Sequence, residues 1–484
     1  VIALADTEGN RIEYTLDNEG NRIQQNTLDQ NGLLARKQSA VFDTLNRMTS
    51  AIGADGSTTR YQYDTNDNQV SVINPLDNIT SSAFDALNRI VSSTDATNGV
   101  SLFEYNALDQ LVKVTDPNGN ETTYQYNAFG DKVQQVSPDT GITSYSYNVF
   151  GERVSQTNAA GVTTQYAYDP LGRLVSVAYP KESENIVYRY DTCVNGIGRL
   201  CELVDESGVS TFNYDVKGNI TQITKANDGG LQTSEYITEY AYDTADNIAN
   251  ITYPSGLAVE YSRDGNGLVQ AISIAQAEEE YVIVNDVSYL PFGPIASISY
   301  GNGIEETRTF DGDYRLTSQS IGNATQRNYQ YDIGGRITGI EENGVVFSYQ
   351  YDSVDRLTYE SGDYGYHQFE YDANGNRVYR EKLDYKQQET GVIEKLRKHQ
   401  YSYLDGGNQL AAVTRIKDDG SLAKNSNLRT YDDNGNAINR NKYSFVYNQA
   451  ERLVEVYKKN QLVANYVYNG FGQRAIRTKH KSDN

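Results

Sequence analysis

The side chains with most chemistry available in this 484-residue chain are two cysteines, three histidines and 64 carboxylates. Cys193 and Cys201 flank the run Asn195-Gly196-Ile197-Gly198, a strong turn signal that would let the two sulfurs face each other across a hairpin. An even count favours a disulfide in a secreted chain; the other reading is a pair of small buried hydrophobes. A disulfide here would close a short loop and stabilise one hairpin modestly. His367, His399 and His480 lie far apart and form no HExxH-like cluster, so no zinc site is expected. No GxSxG elbow marks a Ser-His-Asp triad, and no Walker loop or dinucleotide fingerprint occurs. Among so many carboxylates some pair can always be read as a glycosidase dyad, but nearly all of them sit in turn-like sequence, where Asp and Asn serve the backbone. Asp116-Pro117-Asn118-Gly119-Asn120 and Asp372-Ala373-Asn374-Gly375-Asn376 share the DxxGN order of calcium loops; they lack the twelve-residue spacing and terminal Glu of an EF-hand. The expectation is no catalytic residue, no cofactor and no metal, with Cys193 and Cys201 as the one candidate pair.

The elements that must carry these residues are marked by tyrosine. The chain has 41 Tyr against 12 Phe and no Trp, with 40 Gly and only 8 Pro. Tyr suits a half-buried pleated surface, and Gly, Asn and Asp supply turns. An aromatic followed by Asp or Asn recurs at Phe42-Asp43, Tyr63-Asp64, Phe84-Asp85, Tyr105-Asn106, Tyr126-Asn127, Tyr147-Asn148 and Tyr168-Asp169, always 21 residues apart. Within a unit, Tyr124 and Tyr126 point to one face of a strand. Residues 127–131 turn, with Gly130 available for positive φ. Val133 begins the return, and residues 138–141 turn again. Each unit is therefore two short strands and two turns, and such hairpins are stable only when stacked side by side. The local period of two excludes a helical reading. The tyrosine row has two readings, a surface that grips sugars or peptides and a packed lining; the regular period favours packing.

Beyond Tyr190-Asp191 the spacing loosens, with anchors at Tyr214, Tyr242, Phe310, Tyr331, Tyr351, Tyr371, Tyr431, Tyr447 and Tyr468. Residues 262–309, with Glu278-Glu279-Glu280 and a Leu290-Pro291-Phe292-Gly293-Pro294 segment, break the register. So do residues 380–400, which read as a long hairpin or a short helical insertion. Inserts in arrays become loops, and no linker divides the chain. One array over 1–484 is expected, regular over about 42–190. Net charge is −22, but residues 377–484 carry 20 basic and 12 acidic side chains. The acidic majority argues against nucleic acid, and the basic tail reads as a solvated surface. No stretch is long and apolar enough for a membrane helix. A chain that opens at Val1 without a signal sequence is expected to be a piece of something longer.

Tyr166-Ala167-Tyr168-Asp169-Pro170-Leu171-Gly172-Arg173-Leu174 resembles the YD repeat of the Rhs family, and residues 290–318 resemble the YGNG-containing segment of bacterial Rhs proteins. That family includes polymorphic bacterial toxins, Tc toxin B and C components, wall-associated proteins and teneurins. The resemblance spans nearly the whole chain. It implies an all-β array of tandem hairpins forming one long curved sheet that spirals into a hollow shell. It further implies a non-enzymatic, bacterial, secreted or surface-delivered scaffold that encloses or presents a C-terminal toxin or effector, with that effector and other segments of the parent protein as partners. The alternative is an extracellular adhesion module that binds cell-surface glycans or proteins. Bacterial members usually end in a core with a DPxGL-type motif and an aspartic autoprotease. Asp116-Pro117 and Asp169-Pro170 sit inside ordinary repeats instead, so neither self-cleavage nor toxicity is assigned to this piece.

Overall fold

The physics of one repeat builds the sheet. In the strand Glu121–Tyr126, alternation sets Tyr124 and Tyr126 on the half-buried face and Gln125 in solvent. The strand pairs with Lys132–Ser137 in the register Tyr124↔Gln135 and Gln125↔Gln134, then slips to Tyr126↔Lys132. That bulge turns the chain. Asn127 closes the turn: its N–H donates to the Asp131 carbonyl, and its Oδ1 accepts the N–H groups of Phe129 and Asp131, all at 2.9 Å. Gly130 sits at φ +93°, where a Cβ is poorly tolerated. At the same place in other repeats Asn88 and Asp109 adopt φ near +60°, which short polar side chains allow.

Repeats join through tyrosine. The ladder between Lys132–Ser137 and Gly141–Tyr147 runs from Ser137↔Gly141 to Gln134↔Ser144 and stops. Beyond that point the Tyr147 hydroxyl donates to the Lys132 carbonyl at 2.9 Å. Equivalent bonds run from Tyr126 to Leu111, Tyr168 to Arg153, Tyr190 to Leu174, Tyr331 to Leu316 and Tyr351 to Ile337, at 2.8–3.0 Å. A hydroxyl on a rigid ring replaces the main-chain bond where neighbouring strands part. Phe fills the same volume without making the bond, which accounts for the excess of Tyr.

The computed structural model of the chain describes residues 2–228, 233–277, 279–388, 391–424 and 427–480. Among the described residues forty-three strands form one antiparallel sheet in which sequence neighbours pair. The 3-10 turn Glu182–Glu184 is the one helical element among the described residues, and none of these residues forms a helix able to cross a membrane. The all-β hairpin array expected from the sequence is what the structure shows.

Residues 262–309 follow the same plan behind altered letters. Tyr289 carries the bulge, and its hydroxyl donates to the Val269 carbonyl at 2.7 Å. Leu290 stands where Asp is usual, and its N–H still closes the turn onto the Pro294 carbonyl at 3.0 Å. Glu278 lies outside the described residues, and Glu279 and Glu280 begin the strand Glu279–Tyr289. The described residues of 380–400 are extended, in the long strands Arg377–Gln388 and Gly391–Tyr403. The helical alternative for this stretch is overturned.

The strands gather into two compact units, residues 1–102 with 257–398 and residues 103–256 with 399–484. In the first, Phe347 stacks on Tyr364 and Tyr359 on Tyr366, with ring centres 6.1 and 5.7 Å apart, and Val284 and Phe369 are buried. In the second, Val177, Ile186, Leu203 and Phe212 form a core against which Tyr166, Tyr179 and Tyr188 pack. Most other side chains are half-buried, so stability is summed from neighbouring repeats.

Tyr147→Phe should therefore weaken its junction by about 1 kcal/mol, roughly a fivefold rise in local opening. Amide exchange in Lys132–Ser137 and Gly141–Tyr147 would quicken accordingly; unchanged exchange would show that the hydroxyl contributes nothing.

Candidate functional site: repeat junctions and turn seams

Where an arginine stands four places after the Asp of a repeat, it bolts that repeat to the next. Arg173 Nε donates to Asp169 Oδ2 at 2.6 Å within its own turn. Its two other nitrogens fork onto Asp191 of the following repeat at 3.0 and 2.6 Å. The guanidinium also lies 4.5 Å from the centre of the Tyr190 ring, a cation–π distance. Arg336 and Arg356 repeat the arrangement. They bond Asp332 and Asp352 in their own turns, reach the carbonyls of Asp352 and Asp372 at 2.9 and 2.8 Å, and stack on Tyr351 and Tyr371. Arg173 and the Gly198 N–H hold the Asp191 carboxyl at about 2. Burial pushes the Tyr190 phenol up, so it stays a donor across the neutral range.

In the first unit, turns of 257–398 dock on turns of 1–102. The Thr7 N–H and hydroxyl both donate to Asn266 Oδ1, at 2.9 and 2.6 Å. The Asp313 carboxylate accepts the Ala54 N–H at 2.9 Å. Arg315, held by Asp311 in its own turn, reaches Asp55 Oδ2 at 2.8 Å. The Ser353 hydroxyl donates to the Ala96 carbonyl at 3.0 Å. In every case the later turn is one that follows a bulge, after Arg263, Phe310 or Tyr351, and the earlier turn is one that links two repeats.

In the second unit, turns of 399–484 meet turns of 103–256 by the same rule. Asp139 Oδ1 accepts the Asn408 N–H at 2.6 Å, and Asn434 Oδ1 accepts the Ala160 N–H at 3.0 Å. Gln449 exchanges two bonds: its N–H goes to Glu184 Oε2 at 2.8 Å, and its Oε1 accepts the Lys181 N–H at 2.7 Å. The Gly470 N–H donates to Asp205 Oδ2 at 2.7 Å. A Cβ on Gly470 would lie 2.8 Å from Ile186 and 3.0 Å from Leu203, so this approach needs glycine. Phe471 meets Phe212 edge to face, with ring centres 6.4 Å apart.

The residues singled out by sequence fall as follows. Cys193 and Cys201 are bonded across their turn, with Cα atoms 5.4 Å apart. Asp191 and Arg199 close this expanded turn as Asp169 and Arg173 close the ordinary one. His367 lies against Glu360 in the first unit, and His480 against Asn465 in the second; His399 is in the strand Gly391–Tyr403. The Asp116 and Asp372 carboxylates accept from their own loops, Asn118 and Asn120 in one, Asn374 and Asn376 in the other. Sequence reasoning missed the junction arginines and the seam residues. For the arginines a signal was present, since Arg47, Arg89, Arg173, Arg315, Arg336 and Arg356 each stand four places after the Asp of their turn.

Two seam residues make the docking testable. Asp205, 2% exposed, accepts from Ser207, Gly470 and Lys225. Asp205→Ala leaves buried donors without a partner, which costs about 3 kcal/mol; the turn at 469–473 should then be nicked faster in limited proteolysis, and an unchanged rate would show that Asp205 does not hold it. In the first unit, burial works against the Asp55 charge, but Ser57 and Arg315 outweigh it and hold the carboxyl at about 2. A depressed carboxylate stabilises at neutral pH and loses its effect as pH falls below about 4 toward 2. The melting-temperature gap between the native chain and Asp55→Asn should shrink over that window, and a constant gap would contradict it.

Two family models match the chain, Teneurin YD-shell over residues 76–230 and RHS Repeat over residues 42–79. No curated protein matches it. Among solved structures it is similar to the crystal structure of TcdB2-TccC3, with a TM-score of 0.76 and 16% identity. It is also similar to a Photorhabdus luminescens Tc holotoxin pore, with a TM-score of 0.71 and 15% identity. In both, the match covers 98% of this chain and 28% of the other. The chain therefore spans little more than a quarter of the length of these structures, and the likeness is one of fold. Residues 42–230 are therefore similar to the Teneurin YD-shell and RHS Repeat families, and the fold is like that of the Tc toxin structures.

Proposed function

We propose that the chain is a wall segment of an Rhs/YD-type shell: one hairpin array whose curved sheet spirals and encloses, or presents, a C-terminal effector of the parent protein. The observation that carries this reading is the pair of seams. Within each unit, turns about 260 or more residues apart in sequence exchange hydrogen bonds. Such docking joins successive courses of a strip through turns. It leaves no strand edge open along the join, and open edges invite uncontrolled pairing. The fold likeness to TcdB2-TccC3 supports the same reading. The partners are the effector and neighbouring segments of the parent, the setting is extracellular and bacterial, and the role is structural, without catalysis. The anchor tyrosines weigh against a sugar-gripping row, because their hydroxyls are committed to the preceding repeat. Electron microscopy of the purified chain tests the reading. Class averages with an internal void support it, and a solid rod or flat open sheet sinks it.

The extracellular setting makes the Cys193–Cys201 bond a stable one. Closing so short a loop contributes about 2–3 kcal/mol. Alkylation without reductant should leave both thiols unmodified in the mass spectrum, and alkylation after reduction should label both; labelling before reduction would refute the bond.

A further inference from the structure

The last six strands of the second unit carry a cluster of cations at the edge away from its seam. These strands are Asn427–Tyr431, Ala437–Arg440, Tyr443–Tyr447, Leu453–Lys458, Gln461–Tyr468 and Arg474–Lys479. Their pairing sets Arg429 directly opposite Arg440, Arg440 opposite Tyr443 and Tyr443 opposite Lys458. Directly opposed side chains share a face, so two guanidiniums and one ammonium stand in one row. Lys479 faces the same way, because it opposes Ala464, which opposes Val456, two places before Lys458. Lys442 and Lys459 occupy the two-residue turns at the ends of these strands. Arg429 is half-buried and the other five cations are exposed. The cluster runs over five strand spacings, about 24 Å.

Like charges placed directly opposite destabilise a sheet, and no carboxylate among the described residues pairs with these cations. Asp432, Asp433 and Glu451 lie in turns on the opposite edge. Glu455 points to the other face, where its carboxylate accepts the Tyr457 hydroxyl at 2.8 Å. Asp418 and Asp419 lie in the preceding turn, 417–420, where Asp419 accepts the Ser421 N–H. A merely solvated surface would gain nothing by setting Arg429 against Arg440.

We infer that this cluster is a docking surface for an acidic polypeptide, one whose closely spaced carboxylates lie across Arg429, Arg440, Lys458 and Lys479. Two observations select that occupant. In the seam of this unit the receiving segments, at Asp139, Glu184 and Asp205, offer carboxylates to N–H groups. The linking turns here hold Lys442 and Lys459 instead, so the charge is reversed and the partner supplies the carboxylates. The second observation is extent. A membrane or a nucleic-acid duplex would reach past the cluster onto a chain of net charge −22, whereas about eight extended residues cover its length and stop. Binding also relieves the repulsion between Arg429 and Arg440. The inference does not depend on what the sheet encloses.

Microscale thermophoresis of the labelled chain tests it, with a nonapeptide of alternating Glu and Ser as the probe. The expected result is saturable binding with a dissociation constant of about 0.1–1 mM at low salt, mostly lost at about 0.5 M salt. Arg440→Glu and, separately, Lys458→Glu should weaken it about tenfold, while Lys37→Glu in the first unit leaves it unchanged. Arg440→Glu should also raise the melting temperature, since it then faces Arg429 with opposite charge; weaker binding by this variant is therefore not a loss of fold. Absence of saturation by about 5 mM peptide overturns the inference. So does equal binding of a peptide with Gln in place of Glu, or equal weakening by all three substitutions. A DNA duplex or phosphatidylserine vesicles that bind more tightly than the peptide overturn the polypeptide as occupant. None of these failures touches the shell reading, which rests on the micrographs.

Discussion

A hydrogen bond from a tyrosine hydroxyl to a backbone carbonyl one repeat earlier is what the sheet depends on. Strands joined by a linking turn part after a few pairs, as Lys132–Ser137 and Gly141–Tyr147 do beyond Gln134↔Ser144, because the bulge that each makes with its other neighbour bends it away. Divergence leaves carbonyls facing a gap that a main-chain N–H cannot span. The Tyr147 ring spans it and returns a donor to Lys132. The neighbouring letters follow from the same need. Asn127 folds the chain back beneath the bulge, and a positive-φ residue completes the turn. The arginine four places after Asp, where present, ties its own turn to the next tyrosine. Each letter of the repeat therefore has a partner either in its own turn or one repeat away.

Such a design needs little buried apolar volume. Among the described residues, Leu203 and Ser207 are the largest side chains that reach full burial, and a compact hydrophobic cluster surrounds Leu203 near the second unit's seam. Elsewhere the rings are half-buried and their hydroxyls satisfied, so polar bonds and ring packing share the stabilisation. This suits a thin sheet, where no residue lies far from solvent and where a fully apolar face would expose an aggregation surface.

The seams obey a directional rule. Anchor turns of a later stretch insert into linking turns of an earlier one, through main-chain N–H groups and short polar side chains. The approach is close at Gly470, where a Cβ would meet Ile186 and Leu203, and beside it Phe471 packs on Phe212. The anchor turns of 103–256 expose Leu108, Phe129, Phe150 and Leu171 at their tips.

Strand positions, turn positions and the sharing of one face by Tyr124 and Tyr126 were legible in the sequence, because they depend on contacts between residues close in the chain. The 21-residue register marked them wherever Asp or Asn followed the aromatic. Tyr289 escaped because Leu290 replaced the acid, although the turn formed through backbone bonds alone. The hydroxyl's acceptor, fifteen or so residues earlier, was hidden, since nothing local tells which carbonyl the bulge has stranded. The stretch 380–400 was ambiguous because its charged residues suit a helix or an extended hairpin, and pairing with Gly365–Tyr371 decided for extension. Sequence by itself determined the hairpin array and the letters of its turns. Tertiary structure alone decided which turns meet, because pairs such as Asp205 with Gly470 and Asp55 with Arg315 join residues some 260 apart, and that distance is set by the accumulated geometry of every intervening repeat.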